Sequence, residues 1–193
     1  MEEKKNILIF FGPQRSGKDT AAYYISCKYG YRYFDISAPV KSIASDLYGD
    51  DVERKHLIKI AEACRELDNV VWARQVFQSY FSLYGPKPCY KEEAIPNAVI
   101  SGVRHPEDIL YLQHSFKESF SNVNVYTVRI QRETAARIST TGFSDEFKDH
   151  YTEHLLDFYD GDYTILNNYD KPFLLNQLDY MLLDIEQKGR AVK

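Results

Sequence analysis

The sequence predicts an α/β fold, a three-layer sandwich in which a parallel sheet lies between two layers of helices. Three observations lead there. The apolar run Ile7, Leu8, Ile9, Phe10, Phe11 passes directly into Gly12-Pro13-Gln14-Arg15-Ser16-Gly17-Lys18-Asp19-Thr20, a buried strand entering a glycine-rich loop of G-x-x-x-x-G-K spacing. Short apolar runs then alternate with stretches of helical periodicity along the chain, which implies right-handed crossovers and helices on both sheet faces. Finally, the runs end in polar side chains: Asp35 and Ser37, Ser101 to Arg104, and Arg132. These lie at the carboxyl ends of strands, where such sheets bind ligands.

The elements come in order along the chain. Residues 18–29 read as a helix, with Thr20, Ala21, Ala22 and Ile25 giving it an amphipathic start, and residues 31–34 as a short second strand. Ser37-Ala38-Pro39 opens a second helical segment. Residues 56–84 are strongly helical, with Leu57, Ile60, Ala61 and Cys64 in one stretch, Trp72, Val76 and Tyr80 in the next, and a break near Asp68-Asn69. Gly85-Pro86 and Pro88 end this block, and the turn through Pro96 leads to Ala98-Val99-Ile100, a third buried strand. His105-Pro106 opens the helix carrying Ile109, Leu110, Leu112 and Phe116. A fourth strand spans 123–130 and a short helix 134–138. Residues 139–150 have little apolar periodicity and read as a mobile flap. Tyr163 to Leu166 form the last strand, and Leu174, Leu178, Met181, Leu182 and Ile185 mark the core face of a terminal helix.

Length and composition bound the function. A chain of 193 residues is expected to form one domain with a full core. An apolar share of 44% with mixed charges fits an ordinary globular protein. The net charge of −4, without a basic run, argues against a nucleic-acid polymer as partner. Cys27, Cys64 and Cys89 share no metal-ligand spacing and read as packing residues in a reduced, cytoplasmic setting. Met-Glu-Glu-Lys-Lys precedes a strand too short to be a signal segment, and no apolar stretch approaches a membrane span, so neither is expected. Monomer and homodimer both remain open.

The loop carries the chemistry. Its spacing lets successive backbone N–H groups point at one anion while the helix opening near Lys18 adds its positive dipole end. Lys18, expected on an exposed loop, supplies a mobile charge for the outer phosphates of a nucleoside triphosphate. Asp19 stands where Ser or Thr commonly holds Mg²⁺, with Thr20 one place later, so Asp19 is the metal candidate, directly or through water. The guanidinium of Arg15 is placed to fold over the β- and γ-phosphates.

Taken in order, Arg15-Ser16-Gly17-Lys18-Asp19-Thr20, Ser37-Ala38-Pro39-Val40-Lys41, Ala63-Cys64-Arg65 through Trp72, Ile100-Ser101-Gly102-Val103-Arg104, Val128-Arg129-Ile130-Gln131-Arg132, and Thr152-Glu153 with Asp162 and Ile165-Leu166-Asn167 resemble the deoxynucleoside monophosphate kinase family. The resemblance covers nearly the whole chain, and only the loop is specific alone. Animal-type phosphomevalonate kinase resembles the same loop, Ser-Gly-Lys-Asp included. The family often has an acidic residue where Gly102 stands and Ser where Thr152 stands, and these departures bear on the acceptor rather than on the phosphate chemistry.

The resemblance implies an adenylate-kinase-like P-loop kinase domain over 1–193, with a helical acceptor-binding region at about 36–95 and a small lid at about 132–152. It implies ATP as donor with Mg²⁺ and a small phosphorylated acceptor, a nucleoside monophosphate or another phosphorylated metabolite; the loop alone would also serve a nucleotide-sensing P-loop protein without transfer activity. Gly12, Pro13, Gln14, Arg15, Ser16, Gly17, Lys18, Asp19, Thr20 and Asn167 would bind ATP. Arg132 and Arg137 would be lid arginines that join Lys18 and Arg15 at the transferring group, and Glu153 would orient the lid. On the acceptor side stand Asp35, Lys41, Arg65 and Arg104. Arg104 follows a buried strand at the ligand edge, whereas Arg65 and Lys41 lie on helices where a solvated face competes with a binding role. Asp35 has a competing role in capping or turning the chain. For the aromatic clusters around Tyr23–Phe34 and Trp72–Tyr84, core packing is preferred over base stacking.

Overall fold

The computed structural model describes residues 4–85, 95–133 and 155–191. Strand β1 (Lys5–Phe11) leads through the glycine-rich loop into helix α1 (Lys18–Tyr29). Then come β2 (Arg32–Asp35), α2 (Ala38–Tyr48), a 3₁₀ turn (Gly49–Asp51), α3 (Arg54–Leu67) and α4 (Val71–Tyr84). Next are β3 (Ala98–Val103), α5 (Pro106–Ser119) and β4 (Val123–Gln131). The described chain closes with β5 (Tyr163–Leu166) and α6 (Lys171–Ala191). The short helix expected at 134–138 and the flap expected at 139–150 lie outside the described residues, as does Cys89. None of the described helices is long and apolar enough to cross a membrane.

All five strands run parallel in the order β2-β3-β1-β4-β5. β1 is central because it is apolar throughout: Ile7 to Phe11 are fully buried. Its alternating side chains feed two separate cores. Ile7, Ile9 and Phe11 join Val40, Trp72, Val76, Tyr80, Ile109, Leu112 and Phe116 beneath α2, α4 and α5. Leu8 and Phe10 join Ala21, Ala22, Ile25, Leu174, Leu178, Met181 and Ile185 beneath α1 and α6. The sandwich is therefore three layers thick.

The chain leaves β1 toward β2 and β3 on one side, then crosses to β4 and β5 on the other. That reversal opens a crevice at the carboxyl end of β1, between the ends of its neighbours β3 and β4. One irregularity shapes it. Ile9 pairs with Ile100 but Phe11 pairs with Val103, so three steps of β3 face two of β1. Gly102 absorbs the extra residue at φ 84°, and a Cβ there would come within 3.0 Å of Asp35 Oδ1 and 3.1 Å of Ile36 Cγ2.

The aromatic residues divide by environment. Tyr80 is fully buried and donates to the Pro96 carbonyl at 2.8 Å, with Phe116 and Phe120 edge-on to its ring. Core packing thus accounts for Tyr80 and the rings around it in the second aromatic cluster, whereas Phe81 is exposed. In the first, Tyr24 and Tyr29 each donate to Asp179 Oδ1 at 2.7 Å and tie α1 to α6, whereas Tyr23 is exposed. Cys27 is exposed and Cys64 half-buried, so the packing role expected of the cysteines does not extend to Cys27, which lies on the outer side of α1.

Candidate active site

The glycine-rich loop sits at the carboxyl end of β1. Gly12 has φ 136°, and a Cβ on it would strike the Ile130 carbonyl of β4. Gly17 has φ 100°, and a Cβ there would strike the Asn167 side-chain nitrogen. Arg15 also adopts a left-handed backbone, at φ 58°. Asn167, at the end of β5, fastens the loop: its Nδ2 donates to the Ser16 carbonyl at 2.8 Å, and its backbone N–H to the Gln131 carbonyl at 2.7 Å. The loop is clamped between two strand ends.

Several donors suit an anion. No side chain caps α1, whose N-cap is Gly17, so its amino terminus turns the positive dipole end toward the loop. The Ser16 hydroxyl is buried with no hydrogen-bond partner among the described residues. Lys18 differs from expectation. It is the first residue of α1 and only 6% exposed, because its chain folds back over the loop and Nζ donates to the Pro13 carbonyl at 2.6 Å. Its ammonium is held at the loop rather than left in solvent.

Asp19 lies in the first turn of α1 and accepts a 2.6 Å hydrogen bond from the Ser101 hydroxyl at the end of β3. Ser101 is fully buried, so this contact fixes one carboxylate oxygen of an otherwise exposed residue. At the end of β2, Asp35 accepts from the Ser37 amide at 2.9 Å, the Ser37 hydroxyl at 2.7 Å, and Lys41 Nζ at 2.7 Å. Burial opposes its ionisation, but the bonds from Lys41 and Ser37 prevail and hold the carboxyl below its ordinary value. Asp35 thus both turns the chain and faces the crevice. Tyr33, on the same strand, is pushed up to about 12 by burial and by the nearby Asp35 and Asp19 carboxylates.

Two hollows meet at the loop. A cavity of about 530 Å³ is bounded by Gln14, Arg15, Lys18 and Asp19 on the loop side. Asp35, Ser37 and Lys41, Arg104 and His105, and Trp72 with one face of α3 also line it. The α3 face consists of Arg54, Leu57, Ile58, Ala61, Glu62 and Arg65. Their spacing of three and four residues puts them on one stripe. No α3 residue is fully buried: Leu57, Ile60, Ala61 and Cys64 pack half-buried against the core, and Leu57 and Ala61 also border the cavity. A second hollow of about 400 Å³ is bounded by Arg15, Gly17, Lys18, Asp19, Thr20, Arg132, Asn167, Tyr169 and Lys171. Arg15, Lys18 and Asp19 belong to both.

The residues expected on the acceptor side, Asp35, Lys41, Arg65 and Arg104, therefore share the larger cavity. Among those expected to bind ATP, Arg15, Gly17, Lys18, Asp19, Thr20 and Asn167 line the smaller, joined there by Arg132. Gln14 lines the larger instead, and Gly12, Pro13 and Ser16 build the loop beneath. Arg137, Thr152, Glu153 and most of the lid expected at 132–152 lie outside the described residues. Arg65 is committed more than a solvated helix face implies: it grips the fully buried Asp108 of α5 with two hydrogen bonds. Ser101 was legible as a polar strand-end residue but not its bond to Asp19, and Arg54, His105 and Tyr169 were missed from sequence. For Arg54, the signal was available in its spacing with Leu57, Ile58 and Ala61.

Among the described residues no group of three or more His, Cys, Asp or Glu side chains is placed to hold a metal ion. Mg²⁺ nevertheless suits Asp19, a hard-oxygen donor beside the phosphate loop, if nucleotide and water oxygens complete its shell. ATP suits the loop, whose buried Ser16 hydroxyl, uncapped helix and Lys18 ammonium all favour anionic oxygens.

No protein-family model and no curated protein matches the sequence. Solved structures do match, and they show that the fold is that of P-loop kinases. The APS kinase of Mycobacterium tuberculosis, solved in complex with AMPPNP and APS, matches with a TM-score of 0.58 at 10% identity, covering 96% of this chain and 99% of that one. A sugar kinase from Janibacter matches at 0.54 and 13% identity, covering 96% and 98%. Shikimate kinase from Aquifex aeolicus matches at 0.52 and 13% identity, covering 95% and 98%.

Proposed function

We propose that this chain transfers the γ-phosphoryl group of ATP, with Mg²⁺, to a small phosphorylated acceptor, and that the acceptor is a nucleoside or deoxynucleoside monophosphate. The observation that carries the reading is the junction of two hollows at Arg15, Lys18 and Asp19. A phosphoryl transfer needs two anionic reactants held in line at one cationic point, with little covalent help from the protein. The smaller hollow, floored by the loop and flanked by Arg132 and Asn167, takes the donor. The larger takes the acceptor.

In the reaction, an oxygen of the acceptor phosphate attacks the γ-phosphorus, the bond to the β–γ bridging oxygen breaks, and ADP leaves with the acceptor diphosphate. Lys18 and Arg15 neutralise charge on the transferring oxygens. Bound Mg²⁺, held by Asp19, would supply further charge neutralisation at the donor phosphates. Ser101 keeps Asp19 oriented through the hydrogen bond to its Oδ1. Lys41, Arg54 and Arg104 give the acceptor cavity the positive charge that an acceptor phosphate requires, while Val40, Leu57, Ile58 and Trp72 offer it an apolar bed. The finer identification of the acceptor rests on the resemblance of the loop and the strand-end motifs to deoxynucleoside monophosphate kinases. The fold neighbours support phosphoryl transfer at the coarser level.

The test is a coupled assay with MgATP and a panel of ribo- and deoxyribonucleoside monophosphates, with phosphorylated non-nucleotide metabolites as a second arm. We expect ADP formation that depends on a monophosphate. Turnover in the second arm alone would replace the acceptor class and keep the transfer. Acceptor-independent hydrolysis, or none, with every compound would remove the kinase reading.

A further inference from the structure

Asp108 is a fully buried carboxylate that the phosphoryl transfer just proposed does not use. It lies in the first turn of α5, the helix that follows the end of β3 and Arg104 in the chain. Its partner is Arg65 of α3: Nη1 donates to Oδ1 at 3.2 Å and Nη2 to Oδ2 at 2.5 Å, a two-pronged grip. Arg65 Nη1 also donates to the Asn69 carbonyl, in the turn that joins α3 to α4. One guanidinium therefore ties the cavity wall, the elbow behind it and a core helix together.

The donor count shows what remains. A guanidinium has five N–H donors, and the bonds to Asp108 and Asn69 take three. Nε–H and one Nη2 hydrogen have no partner among the described residues, and Arg65 lines the acceptor cavity. Packing by itself does not explain the arrangement. A buried ion pair adds little to stability compared with apolar residues of the same volume, but it fixes orientation well. α3 has no fully buried residue; Leu57, Ile60, Ala61 and Cys64 pack half-buried on the core, Trp72 Nε1 donates to the Ala61 carbonyl, and the grip on Asp108 is what fixes the direction of the Arg65 guanidinium.

We propose that Asp108 is a positioning residue for the acceptor site, holding Arg65 against the cavity wall with its remaining donors turned toward the acceptor phosphate. The inference rests on the acceptor reading above. It places two cations, Arg65 and Arg104, at the amino end of one helix, with the carboxylate of Asp108 orienting the first. Asp108 itself touches no substrate.

The chain's single tryptophan, Trp72, lines the same cavity, so its fluorescence reports occupancy without turnover. The experiment titrates the full chain with nucleoside monophosphates and, separately, with an ATP analogue. It compares wild type, Asp108→Asn, Asp108→Glu, Arg65→Lys and the double variant Arg65→Lys/Asp108→Asn, with acceptor KM, kcat and melting temperature for each. We expect Asp108→Asn and Arg65→Lys each to weaken monophosphate binding by about tenfold or more, the scale of a lost bond to a charged group. Acceptor KM should rise with it, while affinity for the ATP analogue stays within about twofold of wild type. The double variant should be no worse than the poorer single one, because both break the same link.

Asp108→Glu keeps the charge but displaces it, so it should fall between wild type and Asp108→Asn. It decides the matter if Asp108→Asn does not fold. Wild-type monophosphate affinity in these variants, or equal losses for acceptor and ATP analogue, would overturn the positioning role and leave a purely structural ion pair. A wild-type chain whose Trp72 fluorescence and KM assay respond to no monophosphate would instead overturn the acceptor reading, and the inference with it.

Discussion

At the scale of single residues, the loop explains why small changes have large consequences. Lys18 is buried and folds its ammonium onto the Pro13 carbonyl. Lys18→Ala should lower turnover by about 10²–10³, the usual cost of removing one donor to the transition state. Because Pro13 also loses its partner, the variant should be less stable by about 1 kcal/mol. Measured kcat and a urea melt check both, and near-wild-type turnover would show that the loop is not the donor site. Asp35 makes a prediction about pH. Its carboxyl is held below its ordinary value in the folded protein, so its contribution to stability is complete above the usual carboxylate range and is lost as pH falls through the lowered value. Asp35→Asn should therefore reduce the melting temperature most near neutrality, and the gap to wild type should close in acid. A gap that stays constant with pH would mean that the ion pair with Lys41 contributes nothing. Gly102 belongs at this scale too. A side chain there would press on Asp35 and Ile36, so the acidic residue common in the resembling family does not fit beside this Asp35.

Elements decide which residues can act together. Because the strands are parallel, their carboxyl ends gather Gly12, Asp35, Ser101, Arg132 and Asn167 along one edge. Arg104 directly follows β3 and lines the same cavity as Asp35. Arg104→Ala should raise acceptor KM by the equivalent of about 1.5–3 kcal/mol and leave ATP affinity nearly unchanged. Lysine should rescue only part, since a point charge does not reproduce a two-pronged grip. Equal losses for both substrates, with a lower melting temperature, would make Arg104 a structural residue. Helix α3 contributes differently. It borders the cavity while Leu57, Ile60, Ala61 and Cys64 pack on the core, and it is held at one end by the stacked pair Tyr48 and His56, with ring centroids 4.0 Å apart, and at the other by Arg65 and Asp108.

For the whole molecule, the two hollows sharing Arg15, Lys18 and Asp19 predict linked stabilisation. Saturating an ATP analogue at about 100 times its dissociation constant should stabilise the fold by about 2.7 kcal/mol, read as a thermal shift. Lys18→Ala should abolish most of that shift, and an equal shift in the variant would place the nucleotide elsewhere. Much of this architecture was legible in the sequence. The unbroken apolar run at Ile7–Phe11 read as a buried strand because it leads straight into the loop, and the G-x-x-x-x-G-K spacing specified a phosphate loop and a helix start immediately after it. Helix α1, the break near Asp68 and the last strand all lie where periodicity and breakers put them, because these signals are local. Strand order was not local, and neither was the pairing of distant side chains. Nothing near Asp108 in the chain announces Arg65, and nothing near Asp19 announces Ser101, since each contact joins elements that meet only after the sheet has formed. The sequence by itself determined the layers, the loop and the residue types able to bind phosphate. Tertiary structure alone decided which cations share a cavity, how far Lys18 is withdrawn from solvent, and that α3 faces a hollow, because burial and distance depend on all the elements that close around a site.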